Sequence, residues 1–261
     1  MITQHPPNDD DLSRHVIRVE GVYKSYGRGA GCTPVLSGVD LLVQRGECVY
    51  LAGPSGSGKT TLLSILGCIL SADHGSVMIL DQDLAQLRPR ARAILRRDRI
   101  GFVFQRFHLI HGLTAQDNVA VPLTLRGTPA RTSRRRALEM LEAVGLADKV
   151  KVHPKQLSAG QCQRVALARA LVGDPELILA DEPTASLDAI NGPEVMSLLL
   201  RLTTAQGKTA VVVTHDQRIF RFADRVLWLE NGRIVETVQP ASPQPALLQT
   251  ATLQPQHAGM I

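Results

Sequence analysis

The octapeptide Gly53-Pro54-Ser55-Gly56-Ser57-Gly58-Lys59-Thr60 constrains this chain more than any other stretch. Its glycines let the main chain fold into a tight concave turn whose successive N–H groups point inward at phosphate oxygens. Lys59 sets a point charge against the β- and γ-phosphates, and the Thr60 hydroxyl is a hard oxygen suited to Mg²⁺. The flanks agree with this reading. Glu47–Ala52 is a short apolar run ending at glycine, as a buried strand does. Beyond Lys59, apolar residues at 62, 63, 65, 66, 69 and 70 recur at helical spacing. Strand, glycine loop and helix together aim a helix N-terminus at an anion, here a nucleoside triphosphate.

Composition narrows the rest. With 261 residues, 44% of them apolar, the chain can bury the core of one large domain or two small ones. A net charge of +5 does not by itself argue for nucleic acid, since the arginines cluster locally and few aromatics exist for base stacking, and no nucleic-acid partner is expected. The longest near-continuous apolar run, Leu62–Leu70, is too short to span a bilayer. The acidic start MITQHPPNDDDLSRH lacks the apolar segment of a secretion signal. Cys32, Cys48, Cys68 and Cys162 show no C-x-x-C spacing and read as free thiols in a reducing cytoplasm. His108 and His111 stand three apart, without the further ligand a metal needs.

Along the chain, residues 1–15 are expected to be a mobile N-terminus and 16–236 a single nucleotide-binding domain with a helical part at about 106–165. Residues 237–261, without a charged side chain and rich in Pro and Gln, are expected to be disordered. Strands are predicted at Val16–Glu20, around Val39–Val43, at Ile100–Phe104, Leu177–Ala180 and Thr209–Val213. Helical segments between them imply a parallel sheet with crossovers, and Asn231-Gly232 marks a hairpin. Thr132–Val144 places Ala137, Leu138, Leu141 and Val144 on one helix face.

Two further stretches carry chemistry. Leu177–Ala180 runs into Asp181 and Glu182, adjacent acids at a strand end. One carboxylate serves Mg²⁺ through its waters, and the second, Glu182, is placed to deprotonate an attacking water. Ser158, with Gln161 three residues on, is a capping box that opens a helix beside Gly160. Since the chain already has one phosphate loop, this second anion-binding helix start is read as closing over the triphosphate held by another copy, in a head-to-tail homodimer.

In order along the chain, GPSGSGKTT (53–61), Gln105, LSAGQ (157–161), ILADEP (178–183), Ser186-Leu187-Asp188 and His215 resemble the ATPase subunit of an ABC transporter. The likeness covers about residues 16–236. IGFVFQ, the segment Leu113–Val119 and THDQRIFRFADR most resemble the exporter group that includes macrolide-efflux, lipoprotein-releasing and heterocyst-glycolipid exporters. Ala159 departs from the commoner glycine.

The resemblance implies an α/β fold: a phosphate-loop NTPase (RecA-like) core, an antiparallel β subdomain and an α-helical signature subdomain. It implies ATP and Mg²⁺ as ligands, with Pro54, Ser55, Ser57 and Thr61 completing the phosphate cradle. Tyr26, with Tyr23 as competitor, would stack on adenine. Gln105 would join Thr60 and Asp181 at Mg²⁺. Ser158, Gly160 and Gln161 would contact the partner's ATP, Asp188 would cross the dimer interface, and His215 would bond the γ-phosphate. It also implies a transmembrane permease partner and a peripheral place on the cytoplasmic face of the inner membrane. An importer or cell-division ATPase, or a non-transport ATPase acting on nucleic acid or ribosome, is the alternative. Phe107, Leu109 and Leu113 line a docking groove or belong to the core. Arg134, Arg135 and Arg136 face lipid headgroups or solvent.

Overall fold

A computed structural model describes residues 14–27, 29–204 and 206–240. Most of the expected mobile arm and the extension beyond 240 lie outside the described residues. The apolar runs without alternation become strands buried on both faces, as a parallel sheet between helices demands. These are β3 (Cys48–Ala52), β7 (Leu177–Asp181) and β8 (Thr209–Val213). With β6 (Ile100–Val103), β9 (Arg225–Glu230) and β10 (Arg233–Val238) they form a six-stranded sheet ordered β10-β9-β3-β8-β7-β6. All neighbours in it are parallel except the β9–β10 hairpin. Asn231 and Gly232 at its turn both have positive φ, as the hairpin dipeptide requires.

A second, antiparallel sheet is ordered β2-β1-β4-β5. It contains β1 (His15–Tyr26), β2 (Thr33–Gln44), β4 (His74–Ile79) and β5 (Gln82–Asp83). Here β1 and β2 are longer than the sequence led us to expect. The register shifts between Val19 and Val22, and the bulged ladder continues to Tyr26. β10 carries the hairpin to Val238, two residues beyond 236.

Two helices flank the sheets: α1 (Lys59–Leu66) and α2 (Pro89–Arg99). Three more, α3 (Ala115–Leu125), α4 (Ala130–Ala143) and α5 (Ala159–Leu171), build a separate helical layer, and α6 (Asn191–Thr204) returns to the sheet. On α4 the buried face is Ser133, Ala137 and Leu141, while Leu138 is half-exposed.

Helix α5 carries apolar residues on two faces because it is packed on two sides. Leu167, Ala170 and Leu171 join the core over the parallel sheet, whereas Cys162, Val165, Ala166 and Ala168 join the core of the helical layer. The expected helical-region boundary at 165 therefore falls inside one continuous helix. Leu109 is buried in that same layer, with Phe107 packed on it, which decides for core over groove at Leu109. Arg135 pairs with Glu139 at 2.6 Å and Arg134 lies 3.8 Å from Asp117, as on a solvated face.

Candidate nucleotide site

Strand β3 ends at Ala52 and delivers the glycine loop to the carboxyl edge of the parallel sheet, where ligands of open α/β sheets collect. Gly53 (φ 143°) passes so close to β9 that a Cβ there would lie 2.0 Å from the Leu229 carbonyl oxygen. Gly58 (φ 104°) is the N-cap of α1 and makes no side-chain cap, because it has no side chain to offer. The α1 N-terminus is thereby left to an external acceptor. Lys59 is buried and donates from Nζ to the Gly53 and Pro54 carbonyls at 2.9 and 2.7 Å. Burial pulls its pKa down, with Glu182 and Asp181 opposing the fall. The buried Ser57 Oγ has no hydrogen-bond partner.

The registers of β3, β8 and β7 set the carboxylates beside this loop. Leu51 pairs with Val213 and Val213 with Asp181, so three strand ends converge. Thr60 Oγ1 donates to Asp181 Oδ1 at 3.2 Å. Burial raises the Asp181 pKa, the Thr60 bond pulling the other way. Glu182 adopts φ 48°, a left-handed conformation that costs a non-glycine residue about 1–2 kcal/mol. Its N–H donates to the Val213 carbonyl at 2.9 Å, which helps to hold it there. One Glu182 oxygen lies 2.8 Å from His215 Nδ1; the other is buried and unpartnered. His215 is mostly exposed.

A cleft of about 280 Å³ opens beside the loop, lined by Gly53, Pro54, His215, Phe220, Trp228 and Glu230. Two larger grooves of about 600 and 590 Å³ lie at the opposite sheet edge, lined by residues such as Arg45, Glu47, Lys208 and Arg225. The chemistry of the loop stays at the carboxyl edge.

Other expected residues lie on neighbouring elements. Gln105 is exposed just past β6, and its carbonyl accepts from Ser186 Oγ at 3.1 Å. Tyr26 ends β1, 44% exposed, with Lys24 Nζ 5.9 Å from its ring centre. Tyr23 leans on Gly38, where a Cβ would sit 3.0 Å from its hydroxyl.

Ser158 caps α5 as expected. Its Oγ accepts from the Gln161 N–H at 3.2 Å, and the Gln161 side chain accepts from the Ser158 N–H at 3.0 Å. Asp188 caps the start of α6, accepting from the Asn191 N–H at 2.8 Å and the Asn191 side chain at 2.7 Å. These bonds hold its pKa below the usual carboxylate range. A Cβ on Gly160 would lie 3.0 Å from Asn191 Oδ1, so the Ser158 and Asp188 segments abut within one chain.

Three polar residues escaped the sequence reading. Asn118 is fully buried and bonds the Ile110, Leu113 and Thr114 backbone. Gln163, fully buried, donates to the Pro183 carbonyl at 2.7 Å. Arg169 bonds the carbonyls of Phe107 and His108. The signal for each was a polar side chain inside an apolar helical run.

These elements define a phosphate-loop α/β domain carrying a separate helical layer. Residues 36–185 match the family described as "ABC transporter". Solved structures agree: a cassette titled as a post-hydrolysis dimer "bound to ADP and Pi", MJ0796, is 41% identical, with 87% of this chain and 99% of that one covered and a TM-score of 0.80. The cbiO1 cassette from Clostridium perfringens is 28% identical, covering 87% and 89%, with a TM-score of 0.79. Among curated proteins, macrolide export ATP-binding/permease proteins of Paracoccus denitrificans and Escherichia coli K12 are 46% and 43% identical over 87% and 84% of this chain. The chain spans about a third (34%) of the length of each. It belongs to the ABC transporter family.

Proposed function

We propose that this chain is the ATP-hydrolysing subunit of a membrane exporter, working as a homodimer that closes on two ATP molecules and reopens on hydrolysis. The observation that carries it is the convergence of the uncapped α1 start, Asp181 and the Glu182–His215 pair on one sheet edge. Gly53, Pro54, Ser55, Gly56, Ser57, Gly58, Lys59, Thr60 and Thr61 cradle the phosphates, and Tyr26 stacks on adenine. Glu182 accepts a proton from the attacking water. His215 turns Nε2 to the γ-phosphate while Nδ1 stays on Glu182. Ser158, Gly160 and Gln161 face the partner's ATP, with Asp188 at the same interface.

The residues fit Mg²⁺. Asp181 is a desolvated carboxylate whose raised pKa reports incomplete compensation, and Thr60 adds a hard oxygen beside it. Thr60, Asp181 and Gln105 would hold the ion, which supplies charge neutralisation to the phosphates when bound.

The named relatives carry "macrolide export" at 43 and 46% identity, so the importer and non-transport alternatives are not favoured. Among the described residues no helix is long and apolar enough to cross a membrane. We place the chain on the cytoplasmic face, held there by a permease partner.

Glu182→Gln tests the whole reading. It should bind ATP, lose hydrolysis by about 10²–10⁴-fold, the scale of a general base, and trap the dimer. Tagged Glu182→Gln, purified from detergent-solubilised membranes with ATP, should bring down a permease. Recovery with nucleic acid, or in the soluble fraction alone, would overturn the transport role.

A further inference from the structure

Strand β1 ends at Tyr26, and the residues just before that ring are held from the side. β1 pairs with β4 only as far as Tyr23 and His74. Past that point Asp73, the residue before β4, continues the edge. Its N–H donates to the Tyr23 carbonyl at 2.9 Å, and its Oδ2 accepts the Ser25 N–H at 2.7 Å. Its Oδ1 accepts from Lys24 Nζ at 2.6 Å. Three consecutive residues of β1 are thus tied to one aspartate. On the other edge the β1–β2 register shifts between Lys24 and Ser25, where Ser25 meets Pro34, a residue with no N–H to give. Such an irregularity re-aims the side chains beside it, here the tyrosine that closes the strand.

The Lys24–Asp73 pair is more confined than a stabilising surface contact needs to be. Exposed ion pairs add little to stability, because two mobile side chains must be held in one geometry. Here the Lys24 side chain is only 16% exposed, against 37% for Asp73. The bond from Lys24, and after it the Ser25 N–H, hold the Asp73 carboxyl below the usual carboxylate range and keep it charged. The ammonium so fixed lies over the Tyr26 ring, 5.9 Å from its centre and within reach of a cation–π contact. Tyr26 itself stays 44% exposed. An aromatic ring has two faces, and a cation on one leaves the other for a flat base. Among the described residues Tyr23 meets no such cation, and its hydroxyl leans on Gly38.

We propose that Lys24 is a positioning residue for adenine: anchored by Asp73, it orients the Tyr26 ring before any nucleotide arrives. The inference rests on the proposed function, in which Tyr26 stacks on the base. Lys24 acts through the ring and has no part in holding the phosphates, which fall to the loop at 53–61.

The test titrates the full chain with ADP and with pyrophosphate, which is the same pair of phosphates without the base, each with Mg²⁺. Lys24→Met keeps the stem and removes the charge. It should weaken ADP binding about two- to fivefold, the scale of an exposed cation–π contact, and leave pyrophosphate affinity unchanged. Tyr26→Ala should weaken ADP binding about 5- to 150-fold, and adding Lys24→Met to it should bring no further loss. Undiminished ADP affinity in Lys24→Met overturns the inference. So does an equal loss for pyrophosphate, which marks a phosphate contact or a damaged fold. Losses that simply multiply in the double variant overturn it too, since the lysine then acts apart from the ring. If Tyr26→Ala itself binds ADP as the parent does, adenine stacking at Tyr26 fails, and the inference with it. Should Lys24→Met fail to fold, Asp73→Asn decides, because it leaves Lys24 in place without its anchor. The same split between ADP and pyrophosphate supports the inference, and unchanged ADP affinity overturns it.

Discussion

Two helix starts in this molecule solve the same problem in opposite ways. α1 begins at a glycine with φ 104° and no side-chain cap, while α5 begins at a serine whose capping box is closed on both sides. The first leaves its N-terminal donors to something outside the chain. The second has satisfied the Gln161 N–H from within the chain. A helix start that binds a phosphate tightly must withhold the protein's acceptors from it. A start that meets a phosphate transiently can be stable in the phosphate's absence. On our functional reading, α1 is the permanent seat of the nucleotide and α5 the partner's clamp.

The largest way to break this contrast is Lys59→Ala. Losing a charge-assisted bond of about 1.5–3 kcal/mol should weaken ATP binding about 10–100-fold, read by calorimetric titration; unchanged affinity would remove the loop from its role. Ser158→Ala breaks the other start. Loss of the cap should cost about 0.5–2 kcal/mol of stability in urea unfolding, with ATP affinity of the single chain preserved. If affinity falls instead, the two starts are not independent.

Asp181→Asn sharpens the α1 side. Burial raises the folded-state pKa of Asp181, so the folded protein holds a proton that the unfolded chain releases. Stability therefore falls as pH rises from the ordinary carboxylate range through the raised value. The asparagine variant lacks that fall, so its nucleotide-free Tm should exceed the parent's at pH 7 and match it at pH 3. Ala159→Gly is the smallest change. At the exposed first position of α5 it should cost at most about 1 kcal/mol by helix propensity and leave single-chain ATP affinity untouched.

What could be read in advance was what is local. The phosphate loop, the Asp181–Glu182 strand end and the Ser158 capping box each fit within a few residues, and each reappears in the structure. The left-handed backbone at Glu182 could not be read, since it depends on a bond to Val213 in a neighbouring strand. Arg169 and Gln163 looked like ordinary helix residues because their partners lie 61–62 and 20 positions away. The length of β1 was hidden for a related reason: two partner strands hold it through the register shifts near Gly21.

The thiols have a practical consequence. Cys48, Cys68 and Cys162 are buried and their pKa values are raised, that of Cys68 to about 11, so they stay protonated and slow to react. Cys32 alone is exposed, in the turn joining β1 to β2. A maleimide dye should therefore label the unmodified chain at one position, six residues from Tyr26. On our functional reading, a dye at that position would report on the adenine end of the site.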